Sequence, residues 1–302
     1  MKILRYLVIA LALGFMGMMT AEIWPQIQNL DFRLRAGPTL LSLLLLVLLF
    51  LLDAYGWLLI LSSLNHSPPK LDNIRVWLLS SVARYLPGGI WSYVSRAEMT
   101  YKQGVDMASI GVALYLETIL LAASSLVVGL PALAMAGGYE LQWWYLLPVA
   151  ALSVASFHPA FLGLARRLPG RMGASFSRVT LPAFSRMAWL YLYYLAFWCL
   201  FGLVFALFAD MLHPLYGKDW LAVGSSIALG FFAGFVMIFV PGGIGVRESA
   251  LFLLLEPWIS APDALLVSLG SRLWIMAGEG LSLALAEALF QLRKHLRPIR
   301  RT

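Results

Sequence analysis

Eight charged residues lie inside or beside long apolar stretches of the sequence, where ionisable groups are costly and tend to mark a polar pathway. They are Arg84, Arg96, Glu98, Glu117, Arg247, Glu248, Arg272 and Glu279. On insertion scales an ionised side chain at membrane depth costs roughly 2.5 to 3.5 kcal/mol. Because arginine forks match phosphate oxygens, we predict that the arginines hold a phosphate, while the glutamates balance them or contact a cationic headgroup. Asp53 also falls at membrane depth.

A repeated motif adjoins these charges. Leu-Pro-Gly-Gly-Ile at 86–90 is matched by Val-Pro-Gly-Gly-Ile at 240–244, and each copy is followed by an arginine, a glutamate and an aspartate that opens a long apolar run. Pro-Gly-Gly ends a helix, because proline lacks a donor and two glycines free the backbone. The predicted hinge residues are Pro87, Gly88, Gly89, Pro241, Gly242 and Gly243. Backbone N–H groups exposed at such breaks would also attract an anion.

The elements that position these residues are apolar and long. The chain of 302 residues is 61% apolar and only 12% charged, against about 25% charged in soluble proteins, which excludes a water-soluble fold. At about 1.5 Å per residue, 22 residues cross a hydrocarbon core of about 30 Å. Runs of at least 22 residues occupy 39–61, 109–136, 142–163, 187–209 and 264–290. Residues 3–21 are interpreted as an uncleaved first helix.

The order of these elements repeats. Repeat one covers about 39–136 and repeat two about 187–290, within a single transmembrane domain over 1–302. The segment 73–86 would cover only about 21 Å as a helix, and 247–259 is equally short, so both predict re-entrant helices. Residues 221–240 are long enough to span. The predicted fold is an all-α polytopic membrane protein with inverted repeats, each containing a Pro-Gly-Gly-broken, re-entrant helix pair.

Basic residues predict the topology. Residues 164–186 and 291–302 together carry ten Lys and Arg without an acidic residue, which favours a cytoplasmic position for both. Counting crossings then places both termini in the cytoplasm and 137–141 and 210–220 outside, with the two repeats inverted. Inverted repeats with broken helices are typical of transporters whose site lies near the midplane. The basic charge therefore indicates a bilayer partner, and no nucleic acid is expected.

Other chemistries find little support in the sequence. Zinc-hydrolase, serine-nucleophile and P-loop motifs are absent, so no enzymatic activity is predicted. One cysteine, Cys199, and four scattered histidines predict no metal site and no cofactor. The alternative for the buried charges is that they pair with one another as structural ion pairs.

At these motifs the chain resembles the lysylphosphatidylglycerol synthase transmembrane family, also called the flippase-like domain family. Val240 to Glu248 is similar to the family signature Pro-Gly-Gly-Ile-Gly-Val-Arg-Glu, and residues 85–96, Glu117 and Arg272 follow its pattern. The resemblance covers nearly the whole chain. It implies a stand-alone membrane domain, because no hydrophilic stretch is long enough for the aminoacyl-transferase domain of bifunctional relatives.

The resemblance also implies a function. We expect movement of an anionic or aminoacylated phospholipid, a glycolipid or a polyprenyl-phosphate carrier across the bacterial inner (plasma) membrane. One alternative is a non-transporting membrane subunit that docks an envelope-lipid or glycosyl-transferring enzyme through its basic loop. Another is a small-solute secondary transporter.

Overall fold

The structure is a computed structural model that describes residues 36–85, 90–137, 144, 146–158, 163, 177–237, 243 and 245–296. Every regular element within these ranges is a helix. The predicted helix 3–21 and the predicted hinge residues Pro87, Gly88, Gly89, Pro241 and Gly242 lie outside the described residues.

Long apolar helices dominate the described part of the chain. The helices are α1 (Ala36–Ser63), α2 (Lys70–Val82) with a 3₁₀ turn (Ala83–Tyr85), α3 (Trp91–Tyr101), α4 (Met107–Ala136), α5 (Leu146–Phe157), α6 (Phe184–Asp210), α7 (Asp219–Val236), α8 (Val246–Leu255) and α9 (Ala261–Leu296). Five of these, α1, α4, α6, α7 and α9, are long and apolar enough to cross a membrane. The protein is therefore an all-α, multi-pass membrane protein, as predicted.

The predicted spanning helix at 142–163 is described only in part. Its described part, α5, is an apolar helix of 12 residues that ends at Phe157, and His158 is not helical. The reason is local, because Pro159 follows His158 and the residue before a proline is biased away from the α region. Among the described helices, the fifth that is long and apolar enough to span is α7, which overlaps the segment 221–240.

The helices that precede the two breaks differ in length. Helix α2 has 13 residues, and α7 has 18. At about 1.5 Å per residue, α2 covers about 20 Å and α7 about 27 Å. Of these two helices only α2 is as short as predicted, and α8, in the predicted short segment 247–259, has 10 residues. Re-entrance stays a prediction.

In both halves of the chain a histidine–aspartate contact lies at the start of the last long helix. Asp106 caps α4 by accepting hydrogen bonds from the backbone N–H groups of Ala108 and Ser109. Hydrogen bonding from Ser109, supplemented by the Ala108 amide and by His66, lowers the pKa of Asp106. His66, in the α1–α2 connection, lies 3.3 Å from this carboxylate.

The second half contains the matching contact. His213 follows α6 as His66 follows α1, and its Nδ1 lies 2.8 Å from Asp263 in the first turn of α9. Ser260 Oγ, just before α9, lies 2.6 Å from the same carboxylate. A histidine–aspartate contact therefore joins corresponding elements in each half.

Packing between the helices follows the same correspondence. If α1, α2, α3 and α4 are exchanged with α6, α7, α8 and α9, the main helix contacts map onto one another. Helix α4 packs on α7 and α2 on α9, while α4 packs on α6 and α1 on α9. The counterparts α1 and α6 pack directly on each other, and a Cβ on Gly56 of α1 would lie 2.7 Å from the Tyr194 hydroxyl of α6. The core therefore forms between the halves as much as within them.

Contacts along α9 give the relative directions of three helices. Trp274 bonds Ser42, and Gly278 one turn later packs on Leu46, so α9 and α1 run parallel. Helix α2 and its 3₁₀ turn run antiparallel to α9, because Asp72 contacts Arg293 and Arg84 contacts Glu279.

Candidate functional site

A cavity of about 260 Å³ lies between the two halves of the described fold. Residues on both sides of the first break, Tyr85 and Tyr93, line it together with Gly243 of the second break. Its other walls come from α1, α2, α4, α7, α8 and α9. The charged side chains that line it are Asp53, Arg84, Arg96, Glu117, Arg247 and Arg272.

These charges lie deep along their helices. Glu117 is eleven residues beyond the Asp106 cap of α4, or about 17 Å, and Asp53 lies about 15 Å before the end of α1. On α9, Arg272 lies about 14 Å from Asp263, and Glu279 about 21 Å from Arg293 at the opposite end. Half of a hydrocarbon core is about 15 Å. If these helices cross a bilayer, the cavity falls near its middle.

Arg96 forms a buried ion pair with Glu117. Arg96 NH1 donates a hydrogen bond of 2.5 Å to Glu117 Oε2, and Arg96 Nε donates to Ser80 Oγ at 3.0 Å. The guanidinium lies over the rings of Trp57 and Trp77, and Trp77 Nε1 donates to the other oxygen of Glu117. Because Glu117 neutralises the Arg96 guanidinium and the two tryptophan rings stack on it, Arg96 binds protein side chains rather than a ligand.

A second ion pair joins α9 to α8. Arg272 Nε donates to Glu248 Oε1 at 2.9 Å, and Glu248 Oε2 accepts a hydrogen bond of 2.8 Å from the Gly245 backbone N–H. Gly245 has φ of 83°, a conformation that favours glycine and lets α8 begin directly after the break. Glu248 therefore acts in the described contacts as a helix-start residue and an ion-pair partner.

The third ion pair joins the first break to α9. Arg84 NH1 lies 3.2 Å from Glu279 Oε1, and the Tyr85 hydroxyl donates to Glu279 Oε2 at 2.6 Å. Arg84 Nε donates to the Ser81 carbonyl. Glu279 is 3% exposed. This carboxylate thus holds the 3₁₀ turn of the first half against α9, the last helix of the second half.

Arg247 differs from the other three arginines of the cavity. Its NH2 donates to Ser271 Oγ at 3.0 Å, while its Nε is buried without a hydrogen-bond partner. Among the described residues, no carboxylate lies within ion-pair distance of this guanidinium, in contrast to Arg84, Arg96 and Arg272. Arg247 is therefore the cavity arginine with binding capacity left for an anion.

Asp53 is the corresponding exception among the acids. It lines the cavity from α1, is 8% exposed, and its Oδ1 has no hydrogen-bond partner. No arginine, lysine or histidine of the described ranges forms an ion pair with it. The sequence marked Asp53 as a charge at membrane depth but gave it no role, because its lack of a partner is a tertiary property.

Glu98 lies apart from the other predicted site residues. Its side chain is 64% exposed and pairs with Lys102 one turn later on α3 at 2.7 Å. Its rotation from Arg96 explains this, since residues two apart on a helix do not share a face. The structure does not bring Glu98 into the cavity, and the ion pair that corresponds to Glu248–Arg272 is made by Arg96 and Glu117.

Gly243 is the described member of the two predicted hinges. Its φ is 62°, and a Cβ there would lie 2.9 Å from the Cα of Gly234 on α7. Glycine is required at this position both for the backbone conformation and for the close approach. That contact holds the second break against α7 and places Arg247, four residues later, at the cavity wall.

The cavity offers charge and hydrogen bonding but no evident metal chemistry. In the described ranges no three His, Cys, Asp or Glu side chains gather as metal ligands. Leu121, Phe231, Phe235 and Ile275 form an apolar part of the lining beside the arginines. The arrangement suits a molecule with one anionic group and an apolar remainder.

These features define a polytopic helical membrane protein with a charged cavity enclosed by its long helices. The chain belongs to the family described as the lysylphosphatidylglycerol synthase TM region, whose sequence model matches residues 2–277. The match confirms the family predicted from the two Pro-Gly-Gly motifs. No curated protein sequence matches the chain.

Proposed function

We propose that the protein moves a lipid with an anionic headgroup across a bacterial inner membrane, without catalysing a reaction, and that Arg247 binds the headgroup phosphate. The observation that carries the proposal is the free binding capacity of Arg247 in a cavity whose other arginines are paired. An anion that enters the cavity would supply the negative charge that no described carboxylate provides to this guanidinium. The position of Arg247 directly after the second break supports a role in binding.

The size and lining of the cavity favour a headgroup over a whole lipid. Pockets that enclose drug-sized ligands measure roughly 300 to 1,000 Å³, and this cavity measures about 260 Å³. A phosphate-bearing headgroup fits this space, while the acyl chains would remain along apolar residues such as Phe235 and Met237. Membership in a family named for a lipid-synthase membrane region agrees with a lipid substrate.

We also propose that the two halves are inverted repeats that meet at this site. The exchange symmetry of the helix contacts and the two histidine–aspartate contacts support the repeat. Residues flanking the first break line the same cavity as Gly243 of the second. In transporters with this architecture, one repeat rocks against the other about the site.

The test is lipid translocation by purified protein in phosphatidylcholine vesicles that contain a trace of acyl-labelled phosphatidylglycerol. Arg247→Ala should reduce the rate at least tenfold, and Arg247→Lys should also reduce it, because lysine keeps the charge but loses the planar fork. Arg186→Ala is the matched control, because Arg186 lies at the start of α6 outside the cavity. Thermal stability in detergent identifies variants that fail to fold.

Two results would contradict the proposal. A folded Arg247→Ala variant that moves lipid at the parental rate would remove Arg247 from the phosphate site. Parental protein that moves no lipid, but binds an envelope-lipid enzyme or carries a soluble solute, would favour one of the two alternative functions.

A further inference from the structure

The charges around the cavity balance one another only when Asp53 is ionised. Three arginines are paired with three glutamates: Arg84 with Glu279, Arg96 with Glu117, and Arg272 with Glu248. The described residues of the site then leave one unpaired base, Arg247, and one unpaired acid, Asp53. Both line the same cavity. Protonation of Asp53 would therefore give the site one net positive charge.

Charged and titratable side chains from the elements around this part of α1 face Asp53. Helices α4 and α9 contribute Glu117 and Glu279, while α3 and the 3₁₀ turn contribute Arg96 and Arg84. Helix α6 contributes the phenols of Tyr193 and Tyr194. From α2 the facing cavity residue is Trp77. Both facing arginines already pair with a glutamate, so neither is bound to Asp53.

We propose that Asp53 is the proton-binding residue of the transport cycle, so that one proton and one lipid phosphate enter the cavity together. This inference rests on the proposed lipid transport and adds its energy source. A proton from the aqueous phase on one side binds the Asp53 carboxylate, and the neutral acid releases it on the other side. Because the proton offsets the single negative charge of the phosphate diester, the occupied site returns to net neutrality.

Mutual stabilisation explains the coupling. A protonated Asp53 leaves the Arg247 charge without a compensating carboxylate, which favours binding of the anion. By reciprocity, an anion bound at Arg247 favours protonation of Asp53 by the same free energy. The three glutamates differ from Asp53, because each lies within 3.2 Å of an arginine nitrogen.

The experiment measures the transbilayer distribution of acyl-labelled phosphatidylglycerol in phosphatidylcholine vesicles, with and without a pH gradient. Wild-type protein should shift the distribution toward the alkaline side, by up to about tenfold for one pH unit at one proton per lipid, since a pH unit is a tenfold difference in proton activity. A membrane potential alone should not shift it. For Asp53→Asn the final distribution of the label should be the same with and without the pH gradient.

Asp72→Asn is the matched control, because Asp72 contacts Arg293 away from the cavity and should keep the shift. Failure of wild type to move any lipid would overturn the proposed function and this inference with it. Lipid movement that ignores the pH gradient would overturn the inference alone, even if Asp53→Asn does not fold. So would a folded Asp53→Asn variant that keeps the shift or stops all equilibration. If Asp53→Asn lost only the movement of labelled phosphatidylethanolamine, Asp53 would bind a headgroup amine, and proton coupling would be overturned.

Discussion

At the scale of single residues, the structure separates arginines that hold the fold from the arginine that is available to a ligand. Arg96 is 6% exposed, and its contacts are with Glu117, Ser80 and two tryptophan rings. Arg247 has one hydrogen bond, to Ser271, and a buried Nε without a partner. Removing each should therefore have a different effect.

The Arg96–Glu117 pair should be needed for stability. Arg96→Met leaves Glu117 buried beside Trp77 without its cation, and breaking a buried pair costs about 3–5 kcal/mol. Adding Glu117→Leu should restore most of the loss, because a pair replaced by apolar residues is often neutral. The measurement is Tm in detergent for both single variants and the double variant. Lys102→Ala, which removes only the exposed contact with Glu98, should leave Tm nearly unchanged.

If Arg96→Met and the double variant lower Tm equally, the unpaired carboxylate of Glu117 costs no stability, and the pair is not the stabilising unit. If neither variant lowers Tm but lipid transport stops, Arg96 would bind the phosphate together with Arg247.

At the scale of elements, the two halves use the same kind of ion pair with reversed charge. In the first half the short helix after the break, α3, supplies the arginine and α4 supplies the glutamate. In the second half α8 supplies Glu248 and α9 supplies Arg272. Each pair ties a short helix to the long helix that follows it, so corresponding elements are held together although the residue types differ.

Close packing between α6 and α7 depends on glycine. A Cβ on Gly202 would lie 2.8 Å from the Gly224 carbonyl oxygen, whereas a Cβ on Gly280 of α9 would meet no atom within 4 Å. Gly202→Ala should therefore destabilise the protein by about 1–3 kcal/mol through overpacking. Gly280→Ala should stabilise it by up to about 1 kcal/mol, since alanine favours the helix. Tm of the two variants should move in opposite directions, and equal shifts would contradict the α6–α7 contact.

At the scale of the whole molecule, residues beside both breaks and four long helices, α1, α4, α7 and α9, line one cavity. Helix α9 runs parallel to α1, and α2 runs back along α9 from Arg293 to Glu279. These directions agree with the predicted topology, in which α1 and α9 both run toward the cytoplasm. The orientation in the membrane is still a prediction.

Cysteine accessibility tests that orientation. On a Cys199→Ser background, a cysteine replacing exposed Arg178 should react only from the cytoplasmic side, because the predicted basic segment 164–186 faces the cytoplasm. A cysteine replacing Tyr216, which is 73% exposed in the α6–α7 connection, should react only from outside. Labelling intact cells with a membrane-impermeant maleimide distinguishes the two. Reaction of both positions from the same side would contradict the crossing number and the inverted repeats.

The sequence by itself determined that this is a helical membrane protein of the lysylphosphatidylglycerol synthase TM family, since apolar runs, basic stretches and the Pro-Gly-Gly motifs are local properties of the chain. It also marked the charges that line the cavity. Only the tertiary structure decided their partners, because Arg96 and Glu117 lie on different helices, and a 3.6-residue period turns Glu98 away from the site. For the same reason only the tertiary structure decided that Arg247 and Asp53 are unpaired, because seven helices and residues beside both breaks surround the cavity that they line.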